Sequence, residues 1–245
     1  METVLMHTCC APCSLSCIEP LRSEGIEPVA FWYNPNIHPW KEYEARRDCL
    51  LGYAPSIGME VRVREEYGLR PFVEAVAGDL DHRCGYCYTH RLEETARYAA
   101  QHGFSAFTTT LLASVYQRHD DIAEAAERLA REYGVQFLYR DFRPNFRAGN
   151  QKARELGFYM QKYCGCVFSE AERYGKQIAR DRAKFAETGG RTDVPGLPQH
   201  PGPGPRLSGP VRAAGGPLRG RHGGPGAGHR PPLPPDGSRR AGAGL

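Results

Sequence analysis

The chain has 245 residues, enough for one large domain or two small ones around a buried core. Its formal net charge is +4, but residues 188–245 hold eight arginines against two acids, which leaves 24 basic and 26 acidic side chains in 1–187. A body so close to neutral gives no electrostatic argument for nucleic-acid binding, and no stretch has the roughly 20 apolar residues of a membrane helix or the pattern of a signal peptide. We therefore expect a cytoplasmic protein with no membrane partner.

Buried strands alternate with amphipathic helices along most of the chain. Strands are predicted at TVLMH, EPVAFWY, MEVRVR, SAFTTTLL and VQFLYR, and helices at SLSCIEPLRSEG, WKEYEARRDCLLGYA, YTHRLEETARYAAQHG and DDIAEAAERLAREYG. The segment DHRCGYC, before the third of these helices, is predicted as a loop. This order predicts an α/β fold over 1–187, a Rossmann-like single domain whose mostly parallel sheet has helices on both faces.

Polar and cysteine-rich segments follow four of the five predicted strands, namely HTCC, NPNIHP, TLLAS and DFRPNFR. The carboxyl ends of parallel strands lie at one rim of the sheet, where ligands bind in open α/β folds. The pattern therefore predicts a functional site at the carboxyl rim.

The composition changes at about Thr188. The segment 188–245 has 16 glycines and 12 prolines but no Phe, Tyr or Trp. It cannot bury enough apolar surface to offset the entropy of ordering, so we expect a disordered tail. Two interpretations are open: a basic arm that meets RNA phosphates, or an extension without function. Arginine without lysine favours the second, since a shifted reading frame in GC-rich DNA would produce it.

Nine cysteines in a cytoplasmic protein favour metal or redox chemistry over structural disulfides. Cys84 and Cys87 form a CxxC pair, which supplies half of a four-coordinate site, and Cys9 and Cys10 at the end of the first strand could supply the other half. Four thiolates suit zinc or an iron–sulfur cluster, and their spacing does not choose between the two. Cys13 would be a further ligand or a neighbour of the centre. The remaining two, Cys17 and Cys49, are expected to pack as small apolar side chains.

Cys164 and Cys166 form a different motif. With one residue between them, the two thiols could close a small, strained disulfide that is easily reduced and stores two electrons. They could equally be two more ligands or free thiols in a turn.

Several motifs together resemble the QueH family of cobalamin-independent epoxyqueuosine reductases. The resemblance covers residues 4–173 and does not include the tail. The motifs are HTCCAPCS, FWYNPNIHPWKEYEARR, DHRCGYCYTHRLEETA, FTTTLLASVYQRHDDI, DFRPNFRAG and YCGCVFSE.

The resemblance implies the last step of queuosine biosynthesis, in which an epoxide on the wobble base of tRNA is reduced to an alkene. It implies a tRNA substrate with a GUN-type anticodon carrying epoxyqueuosine, and an electron donor that the sequence does not identify. The implied cofactor is a [4Fe-4S] cluster on Cys9, Cys10, Cys84 and Cys87, and the implied redox-active pair is Cys164 and Cys166. Some family members hold an additional iron near an acidic residue of the first turn, which here reads APCS, so a second iron stays open.

The implied chemistry needs two electrons and two protons. An open iron position could polarise the epoxide oxygen as a Lewis acid, and the CxC pair could relay the electrons. Proton donors would come from histidine or tyrosine side chains of the motifs, for which the candidates are His7, Tyr33, His38, His82 and Tyr163.

Other polar side chains of the motifs could contact the tRNA. Tyr33, Asn34 and Asn36 could read the modified base, or the asparagines could simply form the turn that NPN favours. Arg143 and Arg147 could meet phosphates, with the aromatics between them stacking on unpaired bases, or the segment could be a solvated loop.

Two rival functions follow from the same features. An ATP-dependent tRNA-thiolating enzyme with an iron–sulfur cluster needs a glycine-rich ATP loop after the first strand, and HTCCAPCS has no glycine. A zinc-stabilised binding module without catalysis would use four cysteines and would need no CxC pair.

Overall fold

The computed structural model describes residues 2–187, and the predicted tail lies outside them. Strands β1 to β5 span Glu2–His7, Ile26–Trp32, Val61–Val63, Ala106–Thr109 and Gln136–Phe137. Within the described range, helices α1 to α7 span Ala11–Ser23, Trp40–Tyr53, Leu69–Val76, Arg83–Gln101, His119–Tyr133, Phe146–Glu155 and Val167–Glu187. Three short 3₁₀ helices span Ala54–Ile57, Thr110–Ala113 and Arg143–Asn145.

The five strands form one parallel sheet in the order β3-β2-β1-β4-β5, which confirms the predicted α/β class. The central strand β1 pairs Leu5 with Val29 of β2 on one side and with Phe107 of β4 on the other. The strand order reverses direction between β1 and β4. In such sheets a crevice opens at the carboxyl ends of the two strands where the order reverses.

Helices flank this sheet in two groups. Helix α1 contacts α2 and α6, and α4 packs along α5. Because β–helix–β crossovers are right-handed, the crossovers on either side of β1 put these two groups on opposite faces. Between them lies an apolar core that includes Leu5, Met6, Phe31, Trp32 and Phe107. No helix within residues 2–187 is long and apolar enough to cross a membrane.

The structure differs from the sequence-based elements in two informative places. The expected strand VQFLYR forms only a two-residue β5, at the edge of the sheet, where one neighbour is available instead of two. The expected loop DHRCGYC is helical from Arg83 onward, so that Cys84 and Cys87 lie in the first turns of α4. A spacing of three residues places both cysteines on the same side of that helix.

Candidate functional site

The carboxyl rim between β1 and β4 begins with His7, the last residue of β1. Its Nδ1 lies 3.0 Å from the Thr109 hydroxyl of β4, and its Nε2 lies 3.2 Å from the carbonyl oxygen of Tyr33, just after β2. Burial, and then the charge of Arg91, lower the pKa of His7 to about 3, so the ring is neutral at pH 7. His7 therefore ties three strands together and has no proton to release as an acid at that pH.

Cys9 follows at the mouth of the crevice. Its backbone N–H donates to the Thr110 hydroxyl at 3.1 Å, and that hydroxyl donates to the Cys9 sulfur at 3.4 Å. The segment after β4 thus supports the cysteine that follows β1, as the position of the crevice predicts.

Three buried thiols meet at this point. Cys9, Cys10 and Cys13 have sulfur atoms that all lie within 4.8 Å of one another. Cys10 caps α1, because its sulfur accepts a hydrogen bond from the backbone N–H of Cys13 at 3.4 Å. Hydrogen bonds from the Cys10 and Cys13 thiols lower the pKa of Cys9, while burial raises the pKa of Cys10. The group therefore favours a thiolate on Cys9, the form in which cysteine binds metal.

Gln161 reaches the same thiols from a distant part of the chain. Its side-chain Nε2 donates to the Cys10 sulfur at 3.1 Å and lies 3.7 Å from the Cys13 sulfur. Its Oε1 is buried without a hydrogen-bond partner in the described part of the chain. No sequence pattern singled this residue out.

Cys84 and Cys87 form a second group. Cys87 is buried against Phe72 and Val76 of α3 and against Cys166, and Cys84 is half-buried. Burial raises the pKa of Cys87 to about 12, opposed by the nearby charge of Arg91. Within residues 2–187, the tight thiol group contains Cys9, Cys10 and Cys13 without Cys84 and Cys87. The four ligands that the resemblance implies are therefore divided between two groups.

The CxC pair comes from a third segment, directly before α7. Cys164 is exposed, Cys166 is buried, and both are free thiols. The Cys166 sulfur accepts a hydrogen bond from the backbone N–H of Ser169 at 3.4 Å, at the start of α7. Gly165 between them has φ +152°, and a Cβ there would lie 3.2 Å from the Ile37 Cγ1. The backbone conformation of the CxC segment therefore depends on a glycine.

Arg46 of α2 fixes this CxC segment. The Arg46 side chain is 2% exposed and forms an ion pair with Glu42 at 2.6 Å. It also donates to the carbonyl oxygens of Cys164 at 2.8 Å and Tyr163 at 2.9 Å. Arg46 therefore pairs its charge with the buried Glu42 and anchors the CxC segment through two backbone carbonyls.

The NPNIHP segment holds the other side of the same loop. The backbone N–H of His38 donates to the Gly165 carbonyl at 2.8 Å, and the Tyr163 hydroxyl donates to the His38 carbonyl at 2.6 Å. Burial lowers the pKa of His38 to about 4, so this ring is also neutral at pH 7. Of the remaining proton-donor candidates, His82 is exposed and bonded to Asp79.

Three helices begin at the site cysteines: α1 directly after Cys10, α4 directly before Cys84, and α7 directly after Cys166. A helix N-terminus carries a partial positive charge and exposed N–H groups, both of which favour anions such as thiolates. Together with Arg46 and Arg91, these helix ends oppose burial, which raises the pKa of Cys10, Cys87 and Cys164.

The residues expected to read a base are largely enclosed. Tyr33, Asn34 and Asn36 are all buried. Asn34 donates its side-chain amide to the Thr8 carbonyl at 2.9 Å, and the Tyr33 hydroxyl lies 2.9 Å from the His90 Nε2. Asn36 differs, since its Oδ1 is buried without a partner in the described residues and it lines a narrow cleft. That cleft is also lined by Cys87, His90 and Arg91.

Arg143 and Arg147 are exposed, in and just after the 3₁₀ helix that precedes α6. Arg143 pairs with Asp141 at 2.7 Å, whereas no ion pair joins Arg147 to another described residue. Phe146 between them stands edge-on to Tyr116, with ring centroids 5.9 Å apart. The contact places the segment that carries Arg143 and Arg147 beside the segment that follows β4.

Fold and site define an α/β protein with a thiol-rich centre where the strand order of a parallel sheet reverses. A family model described as epoxyqueuosine reductase QueH matches residues 4–172. The chain belongs to this family, which confirms the resemblance seen in its motifs.

Proteins named epoxyqueuosine reductase QueH from three bacteria illustrate the relationship. The relative from Dehalococcoides mccartyi is 38% identical over 173 residues, covering 71% of this chain and 95% of its own. The one from Thermotoga maritima is 38% identical over 193 residues, covering 74% of this chain and 98% of its own. The one from Haemophilus influenzae is 33% identical over 200 residues, covering 78% of this chain and 77% of its own.

Proposed function

We propose that this protein is an epoxyqueuosine reductase, which reduces the epoxide of epoxyqueuosine at the wobble position of tRNA to the alkene of queuosine. The family match over residues 4–172 carries this proposal. The thiol groups at one rim supply chemistry that suits it: a soft metal site beside a dithiol. The proposed substrate is tRNA with a GUN-type anticodon, and the proposed site of action is the cytoplasm.

The cofactor we propose is a [4Fe-4S] cluster held by Cys9, Cys10, Cys84 and Cys87, with Cys13 beside it. The donor set fits such a group, because buried sulfur atoms gather where helix N-termini and buried arginines favour thiolates. When bound, a cluster of this kind supplies electron transfer and a Lewis-acidic iron. An additional iron would find its nearest unassigned thiol in Cys13.

Cys164 and Cys166 are the proposed redox-active pair. Oxidation of the two thiols to a disulfide releases two electrons and two protons. Reduction of the epoxide consumes both, breaks the two carbon–oxygen bonds, and releases the oxygen as water. The disulfide is then reduced by an external dithiol or redox protein, which returns the pair to its starting state. Exposure of Cys164 suits exchange with such a reductant.

The proposed contacts to tRNA lie around this centre. Asn36 offers a buried, unpaired carbonyl oxygen to the modified base from the wall of the cleft. Arg143 and Arg147 offer exposed guanidinium groups to phosphates. Tyr33 and Asn34 would act indirectly, through the hydrogen bonds that hold His90 and Thr8 in place.

The test combines metal content with activity. We expect anaerobically purified protein to hold about four irons and four sulfides per chain and to reduce epoxyqueuosine in tRNA. Cys164→Ser and Cys166→Ser should keep the iron and sulfide while turnover falls at least about a hundredfold. Cys49→Ser is the matched control, because Cys49 is a half-buried thiol of α2. This variant should keep the iron and sulfide content and the turnover of the wild type.

Two results would overturn the proposal. Stoichiometric zinc without sulfide would favour a zinc-stabilised binding module. Full turnover in both serine variants would remove the dithiol from the reaction.

A further inference from the structure

Arg91 is a buried cation whose charge is balanced by no carboxylate among residues 2–187. It lies on α4, one turn after Cys87, and is 3% exposed. Its Nε donates to the Cys87 carbonyl at 3.1 Å. Its Nη2 is buried with no hydrogen-bond partner, and no carboxylate of residues 2–187 lies within ion-pairing distance of it.

Arg46 shows how the same fold treats another buried arginine. That side chain is as buried as Arg91, but it pairs with Glu42 and donates to two loop carbonyls. A buried charge without a partner is costly, since protein replaces water around it and returns only part of the lost solvation. The contrast indicates that Arg91 is balanced by something other than a carboxylate.

Burial lowers the pKa of the Arg91 guanidinium, and neighbouring ionisable groups, which are mostly thiols, raise it. They belong to Cys87, Cys164 and Cys9, in that order, followed by the hydroxyl of Tyr88. These three cysteines come from α4, from the CxC segment and from the end of β1. Cys87 is the thiol that the geometry places beside Arg91, since Arg91 donates to its carbonyl oxygen and lines the same cleft, and negative charge on the thiols around Arg91 is stabilised by its guanidinium.

We propose that Arg91 is the counter-charge of the thiol centre, a positioning residue that favours thiolates gathered around a metal and raises the reduction potential of that centre. Metal binding converts neutral thiols into thiolates, and this adds negative charge to the centre. Each added electron makes the centre more negative, so a fixed positive charge favours the reduced form. This inference rests on the proposed function only in assuming that the cysteines bind metal.

The first test measures metal affinity in the absence of any cluster or tRNA. Apo-protein is titrated with Co²⁺, and binding is followed by the thiolate-to-cobalt charge-transfer absorption. Arg91→Gln should weaken Co²⁺ binding about tenfold or more, as expected for loss of a nearby buried charge. Arg91→Lys should retain most of the affinity because it keeps the charge.

Arg97→Gln is the matched control. Arg97 lies on the same helix but is partly exposed and paired with Glu94, so its loss should leave Co²⁺ affinity unchanged. Unchanged affinity in Arg91→Gln would overturn the inference, and so would equal losses in Arg91→Gln and Arg91→Lys.

The second test separates an electrostatic role from a packing role. Arg91→Met keeps much of the side-chain volume and removes the charge. Its melting temperature should equal or exceed that of the wild type in the apo-protein, and should fall below it in the Co²⁺-loaded protein. An equal fall in both forms would show that Arg91 only packs, and would overturn the inference.

The third test uses the iron-loaded protein. In a redox titration followed by electron paramagnetic resonance, Arg91→Gln should show about tenfold less reduced centre than the wild type at the same applied potential. Equal reduced fractions would contradict the proposed effect on potential. Failure of wild-type protein to reduce epoxyqueuosine-tRNA, with the Co²⁺ effect intact, would instead sink the proposed function and leave the role of Arg91 standing.

Discussion

Gly165 is the residue on which the geometry of the CxC pair depends most directly. Its φ of +152° is a conformation that side-chain-bearing residues rarely adopt, and a Cβ would lie 3.2 Å from Ile37 and 3.6 Å from the Arg46 Nη1. Gly165→Ala should therefore destabilise the protein by about 1–3 kcal/mol and displace the loop. Turnover should fall while iron and sulfide content stays the same.

The control for this change is Gly175→Ala in α7. Gly175 has no atom within 4 Å of the position of a Cβ, and it lies in a regular helix. Alanine there should be neutral or stabilising by up to about 1 kcal/mol. Chemical denaturation and single-turnover assays on both variants check the prediction, and equal behaviour of the two would contradict it.

Cys13 and Cys17 show how differently two cysteines on one helix can be used. Cys13 joins Cys9 and Cys10 in the tight thiol group. Cys17, one turn further along α1, is fully buried, and its thiol donates to the Cys13 carbonyl at 3.5 Å. The two cysteines therefore lie one above the other on α1, and of the two only Cys13 reaches the carboxyl rim.

At the scale of elements, α2 acts as a clamp on a segment more than 100 residues away in the chain. Glu42 neutralises Arg46 and also accepts a hydrogen bond from the Tyr159 hydroxyl. Glu42→Gln would leave Arg46 buried without a counter-charge and should cost about 3 kcal/mol of unfolding free energy. It should also loosen the CxC segment, so that Cys164 reacts faster with iodoacetamide.

Glu44→Gln on the same helix is the comparison. Glu44 pairs with the exposed Lys41, so its loss should cost less than about 1 kcal/mol and leave Cys164 reactivity unchanged. Urea denaturation and timed alkylation followed by mass spectrometry give both readouts. A Cys164 that reacts at the same rate in Glu42→Gln would show that the clamp does not control access to the thiol.

Over the whole molecule, local patterns and distant contacts differ in how far the sequence reveals them. The apolar runs around Leu5 and Phe107 each predicted a strand, and the order of elements predicted a parallel sheet with Cys9 at its carboxyl rim. Neither the apolar runs nor the order of elements could predict a contact such as that of Gln161 with Cys10. Periodicity describes one element and does not indicate which side chains meet across the fold.

Arg91 illustrates the same limit at the site itself. In sequence it reads as one of many charged positions on a helix. Had DHRCGYC been assigned to the helix, the spacing of Cys84, Cys87 and Arg91 would have placed all three on one face. The loop prediction rested on the residues that surround the cysteines, and the helical start was set by packing against α3 and the CxC segment. Side chains of distant elements therefore determined where α4 begins.

The last prediction concerns the extent of the functional chain. The family match ends at residue 172, and two relatives are covered over 95% and 98% of their own length by 71% and 74% of this chain. A chain ending at residue 187 should therefore keep its metal content, its KM for epoxyqueuosine-tRNA and its kcat.

The salt dependence of tRNA binding separates the two interpretations of residues 188–245. A basic arm that met phosphates would release counterions on binding, so its removal would flatten the plot of affinity against salt concentration and raise KM. An extension without function predicts the same slope for the full chain and for the chain ending at residue 187. We expect the slopes to agree, because the arginines of 188–245 lie beyond the part of the chain that the family shares.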